Sequence, residues 1–152
     1  MKKILVLARR DDRPDYDRKQ SMLEGLGVTN DTSSYYGADY EDLVFFYDGN
    51  ELRITDAQSG MDIRDFDTIF MIGWFKYKAL EDVARAVSYY AKSFNIPFAN
   101  SEVYYGRSLT KVSQCVMAAI NGIQVTPFIF YLDQEVLLDR VRDVQWPCPL
   151  IV

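Results

Sequence analysis

Apolar positions in this chain come in short blocks separated by charge. Ile4 to Ala8 is a continuous apolar run, as expected of a strand buried on both faces. Arg9 and Arg10 end it, and the stretch RRDDRPDYDRK then mixes five basic with four acidic residues around Pro14. That composition predicts a surface loop leading into a helix over about 15–26, stopped by Gly25 and Gly27. Residues 28–42 are polar, rich in Ser, Thr, Asp and Tyr, and give no assignable element. Leu43 to Tyr47 and Leu52 to Thr55 flank Asp48-Gly49-Asn50, the usual signal of a hairpin. Thr68 to Ile72 reads as a second buried strand, stopped by Gly73.

The clearest helix follows. Leu80, Val83, Ala84, Val87, Tyr90, Ala91 and Phe94 recur at spacings of three and four, with Glu81, Asp82, Arg85 and Lys92 off that stripe. Asn95-Ile96-Pro97 ends the helix and Phe98-Ala99 begins a short strand. Strand, helix and strand in this order form a parallel unit, for which the crossover is right-handed. Residues 1–100 therefore read as a small, open, mostly parallel α/β sheet with flanking helices.

A second pattern starts near residue 101. Ser108-Leu109-Thr110-Lys111 opens a helix with Leu109, Val112, Val116, Ala119 and Ile120 as its buried stripe, and Asn121-Gly122 caps its end. Val125 to Tyr131 is extended. Asp133 caps a short helix through Val136, Leu137 and Val141. Trp146-Pro147-Cys148-Pro149 is a turn, and Leu150-Ile151-Val152 begins a strand.

Composition narrows the function classes. At 152 residues, with about half of them apolar and 14% aromatic, the chain is expected to fold as one domain, or as one small domain and part of another. No apolar run reaches the roughly 18 residues of a membrane span. The N-terminal apolar run is too short for a signal peptide, so the expected location is the cytoplasm. A net charge of −5 argues against wide contact with nucleic acid or anionic membrane. Cys115 and Cys148 are read as reduced thiols. The chain has no histidine, which removes Ser-His-Asp and Cys-His catalysis and imidazole-based zinc sites. The loop after the first strand, Arg9 to Arg13, has no glycine, and no GxxxxGK[ST] occurs, which excludes a P-loop NTPase. Asp11 and Asp12 stand where receiver domains carry an acidic pair, but Met71-Ile72 replaces the aspartate such a domain needs at the end of a later strand.

The stretch Ala99-Asn100-Ser101, Arg107 to Lys111, Gly122-Ile123-Gln124-Val125-Thr126-Pro127 and Trp146 to Val152 resembles the start of the ATP-grasp fold, as in the glutathione synthetase and ribosomal-protein glutamate ligase branch. The preceding hundred residues match the order of elements in a pre-ATP-grasp, Rossmann-like domain, so the resemblance covers the whole chain. It implies a pre-ATP-grasp domain over 1–100 and a truncated start of the ATP-grasp domain over 101–152. It also implies an ATP-dependent carboxylate–amine or carboxylate–thiol ligase that forms an acyl phosphate, with ATP and magnesium as needs of the full-length protein and none bound by this fragment. Lys111 matches the family lysine that reaches the phosphates of ATP, although Thr110 stands where Asp or Ser usually precedes it. The second family lysine would follow Val152 directly.

Other candidates follow from placement. Arg9, Arg10 and Arg13 lie beyond the carboxyl end of a strand, where open sheets bind ligands, and an arginine there can grip a carboxylate of a small molecule or peptide. The alternative is a solvated loop in which they pair with Asp11, Asp12 and Asp15. Trp74, after the next strand, could stack on a substrate or pack in the core. Tyr35, Tyr36, Tyr40, Tyr104 and Tyr105 read as packing, because no basic residues interleave with them. A strand ending at Val152 would leave an open edge, inviting a homodimer. The competing reading is a non-enzymatic α/β binding or interaction module.

Overall fold

The computed structural model describes residues 2–10, 33–71, 78–99 and 111–143. The expected helix over 15–26, Arg13, Asp11 and Asp12, Trp74, the opening of the helix before Lys111, and everything after Asp143 lie outside the described residues. The elements in chain order are β1 (Lys2–Ala8), β2 (Ser33–Asp39), β3 (Leu43–Tyr47), β4 (Leu52–Asp56), β5 (Thr68–Met71), α1 (Lys78–Ser93), β6 (Phe98–Ala99), α2 (Lys111–Ile120), β7 (Phe128–Phe130) and α3 (Gln134–Asp143).

Two sheets form. The first is parallel throughout, in the order β2-β1-β5-β6. Its centre is β1, whose side chains alternate between two buried faces. Leu5 and Leu7 join the main core, while Val6 and Ala8 join a smaller cluster with Ile4 and Tyr35. That is the reason the sequence shows an unbroken apolar run here. The strand begins at Lys2, two residues before the apolar run, because pairing with β2 continues to Ser33.

The second sheet is antiparallel, in the order β4-β3-β7. The hairpin closes through Asp48, whose carboxylate accepts the N–H groups of Asn50 at 2.7 Å and Glu51 at 2.8 Å. Gly49 has φ of +102°, a region that side chains rarely tolerate. Phe45 lies opposite both Ile54 and Phe130 and is fully buried. The observed class is thus α/β, with a parallel sheet, a small antiparallel sheet and helices.

Residues 28–42, left without an element by their sequence, contain β2 and a 3-10 turn over Tyr40–Asp42. The other correction concerns α1. Its expected stripe is buried from Leu80 to Ala91, but Phe94, its last member, lies past the end of the helix and is exposed, and every residue from Asp82 to Ser88 is buried as well. Arg85 is 1% exposed and Asp82 5%. A single amphipathic stripe assumes one partner, and α1 has two: the sheet on one side and α2 on another. Its C-terminus closes in a Schellman motif, with Asn95 at φ of +56° and Ile96 N–H donating to the carbonyl of Ala91. Gly122 closes α2 in the same way.

Residues on both sides of position 100 share one hydrophobic cluster. Val112 and Val116 of α2 pack with Val83, Val87 and Tyr90 of α1, and Phe128 and Phe130 of β7 pack against the same core.

Candidate functional site

The strand order places the site. From β1 the chain goes to β2 on one side, then returns across β1 to β5 and β6 on the other. The order reverses between β1 and β5. In open α/β sheets the crevice outside the carboxyl ends of the strands at such a reversal is where ligands bind. The carboxyl end of β1 leads into Arg9 and Arg10. The carboxyl end of β5 leads into residues 72–77, which include Trp74 and lie outside the described residues. Because α1 follows β5, its first described turns lie at this same edge, and the N–H groups of Val112 and Ser113, just after Lys111, meet Asp82 of α1 there.

Arg9 is half-buried and Arg10 is exposed. The Arg10 side chain is held on its inner edge. Its Nη2 donates to Asp42 at 2.8 Å, its Nε lies 3.6 Å from Asp39, and its backbone N–H donates to Glu41 at 3.2 Å. The charges of Asp42, Asp39 and Glu41 raise the guanidinium pKa further above its already high value, against a smaller opposing effect of burial. The arginine still has 58% of its side chain exposed. It is therefore preorganised by buried carboxylates and turned toward water, with its charge largely balanced. Its acidic partners come from β2 and the turn after it.

Asp42 is the centre of this edge. It is 4% exposed and its Oδ1 accepts from Arg10, from the hydroxyl of Tyr131 at 3.1 Å and from the amide of Gln58 at 3.5 Å. Its own carbonyl accepts the N–H of Ala57 at 2.8 Å. Burial and the nearby charge of Asp42 push the Tyr131 hydroxyl up to about 12. One carboxylate thus joins the end of β1, the turn before β3, the turn after β4 and the residue after β7.

Lys111 is exposed. The amides that follow it are occupied. The N–H groups of Val112 and Ser113 donate to Asp82 Oδ2 at 3.2 and 3.3 Å, and the Ser113 hydroxyl donates to Asp82 Oδ1. A helix N-terminus attracts anions through such free N–H groups. Here a carboxylate of α1 already fills that position for two of them. The physical case for Lys111 as a phosphate ligand consequently rests on the ammonium, without those amides. Among the described residues no cluster of Cys, Asp and Glu is arranged to hold a metal ion.

A cavity of about 80 Å³ lies between β1, β2 and the connection from β4 to β5, lined by Leu5, Tyr36, Met61, Ile63 and Phe66 with Asp56 and Ser59. Nucleotide-sized ligands need several hundred Å³, and Asp56 Oδ2 is engaged by the backbone N–H and hydroxyl of Ser59 at 2.7 and 2.6 Å. This cavity is too small for a nucleotide.

Of the residues picked by sequence reasoning, Arg9 and Arg10 follow the carboxyl end of β1, Lys111 precedes the amides that Asp82 of α1 accepts, and Arg13 and Trp74 lie outside the described residues. That reasoning missed Asp39, Asp42, Asp82 and Tyr131. These residues lie in segments without a motif, and Asp82 had been set off the buried stripe of its helix. Tyr40 is fully buried and Tyr36 meets Phe66 edge-on at 5.4 Å, as packing residues do. No helix among the described residues is long and apolar enough to cross a membrane. No family model, no curated protein and no solved structure matches the chain.

Proposed function

We propose that this chain is the N-terminal part of a cytoplasmic ATP-grasp ligase, which joins a carboxylate to an amine or thiol through an acyl phosphate. The observation that supports this most is the reversal of strand order between β1 and β5, with Arg9 and Arg10 following the carboxyl end of β1, on the edge where such sheets bind ligands. The finer assignment of the sheet as a pre-ATP-grasp domain belongs to this proposal, as do ATP and magnesium.

In the proposed reaction ATP phosphorylates a carboxylate and a nucleophile then displaces phosphate. The charge that must be neutralised lies on the phosphates, which is work for cations. Lys111 would supply one ammonium. Arg10, clamped by Asp39 and Asp42, would form part of the wall facing the acceptor, a small molecule or a peptide bearing a carboxylate. Titration of MgATP into the full-length gene product tests the reading. Loss of one charge-assisted contact predicts binding about ten- to a hundredfold weaker in Lys111→Ala. Equal affinity would remove the role of Lys111.

A second reading, a non-enzymatic α/β interaction module, draws on a specific observation. The polar groups of this edge are already paired with one another: Arg10 with Asp39 and Asp42, and the first amides of α2 with Asp82. A full-length protein whose melting temperature does not respond to any nucleotide with magnesium would favour it.

A further inference from the structure

An α-helix starts with N–H groups that no carbonyl of the same helix accepts, and its dipole makes that end hospitable to negative charge. In α2 that charge is built in. Asp82, from the second turn of α1, takes the N–H groups of both Val112 and Ser113 and the Ser113 hydroxyl. Asp82 is 5% exposed and Ser113 is fully buried. A carboxylate held out of bulk water is screened less than a surface one, so its field reaches neighbouring groups. Lys111, directly before these amides, is exposed.

We propose that Asp82 is a positioning residue that limits how tightly Lys111 holds phosphate: its buried carboxylate occupies the anion position at the start of α2 and opposes any phosphate that Lys111 draws in. This inference rests on the phosphate role proposed for Lys111. Two effects of opposite sign meet in the one side chain. As a cap, Asp82 fixes the first described turn of α2, directly after Lys111. As a charge, it subtracts from the positive field that a phosphate would meet there. Asparagine separates the two, because its amide oxygen can still accept N–H groups in nearly the same shape while the charge is gone.

The experiment is calorimetric titration of MgATP into the full-length gene product at low ionic strength, using wild type, Asp82→Asn and Lys111→Ala, with melting temperatures measured in parallel. Asp82→Asn is expected to bind MgATP roughly three- to tenfold more tightly, from removal of a nearby like charge, while melting at a lower temperature. A merely structural cap would give the lower melting temperature with equal or weaker binding, and that result in folded protein overturns the inference. Should Asp82→Asn not fold, Asp82→Ser, which is also neutral and can still accept from an amide, is read by the same criterion. If Lys111→Ala weakens binding and the neutral variant does not tighten it, only this inference falls. If Lys111→Ala binds as wild type does, the phosphate reading falls and this inference with it.

Discussion

Tyr131 donates its hydroxyl to Asp42 at 3.1 Å, joining the residue after the last strand of the antiparallel sheet to the carboxyl edge of the parallel one. Both residues are buried. Tyr131→Phe removes a donor to a buried carboxylate and leaves Asp42 with Arg10 and Gln58. Hydrogen bonds to charged groups contribute about 1.5–3 kcal/mol, and a loss of that size is expected in urea unfolding followed by circular dichroism. A loss below about 0.5 kcal/mol, within the range of an ordinary surface change, would show that the bond contributes nothing of its own.

Alkaline pH should loosen the fold. Burial is the main cause that raises the hydroxyl pKa of Tyr40, Tyr90 and Tyr131 in the folded protein, the last to about 12. In the unfolded chain tyrosine titrates near about 10. Below that pH both states keep the proton and the contribution to stability is complete. Above it the unfolded chain gives up protons that the folded one retains, so stability falls as pH rises toward the folded value. Urea midpoints should therefore be flat through neutral pH and drop steeply beyond about pH 10, with a shallower drop in Tyr131→Phe. A midpoint that stays constant to about pH 11 contradicts this.

Arg64 binds two carboxylates at once. Its Nη1 donates to Glu51 at 2.6 Å, its Nη2 to Asp62 at 2.8 Å, and its guanidinium lies 5.5 Å from the centre of the Phe94 ring. Its bonds to Asp62 and Glu51 raise its pKa, while Arg64 first and Arg53 second lower that of Glu51. Glu51 thus adds stability above the unfolded carboxyl value of about 4.3, and that stability is lost as pH falls through its lower folded value. Arg64→Lys keeps the charge but not the fork. The expected cost is about 1–2 kcal/mol in thermal unfolding. Equal stability would mean that a point charge suffices here.

Lys111 is the first described residue of α2 and is exposed, and the N–H groups that follow it are taken by Asp82. Lys111→Ala should change stability by no more than about 0.5 kcal/mol. Chemical denaturation of the 152-residue chain measures this directly. A loss above about 1 kcal/mol would make Lys111 a structural residue, and any fall in nucleotide affinity would then need another explanation.

What the sequence reveals depends on how local each cause is. The apolar run of β1, the Asp48-Gly49 turn, the stripe of α1 from Leu80 to Ala91 and the Gly122 cap all act within a few residues, and each is where its pattern puts it. Strand β2 is harder to see. Ser33-Ser34-Tyr35-Tyr36-Gly37-Ala38-Asp39 is an edge strand whose order comes from pairing with β1 along its whole length, more than from its own apolar side chains. The burial of Asp82 and Arg85 could not be read from the period of one helix, since it depends on where α2 packs. Arg10 shows the same limit. Its acidic neighbours in sequence are Asp11 and Asp12, while the carboxylates its guanidinium meets, Asp39 and Asp42, belong to another strand and the turn after it. At the candidate site, the place of Arg9 and Arg10 just past β1 was legible because a strand end is local. The carboxylates that set their chemistry were not.

The pairing of β3 with β7 also bears on how the chain is made. During synthesis the β3–β4 hairpin leaves the ribosome well before Phe128–Phe130 does. Until then Phe45 lacks the edge-on contact with Phe130, at 5.8 Å in the finished fold, and one backbone edge of β3 stays open. The nascent chain therefore carries this open edge from the time the hairpin emerges until β7 does, and a pause in translation that holds Phe128–Phe130 inside the ribosome would lengthen that interval.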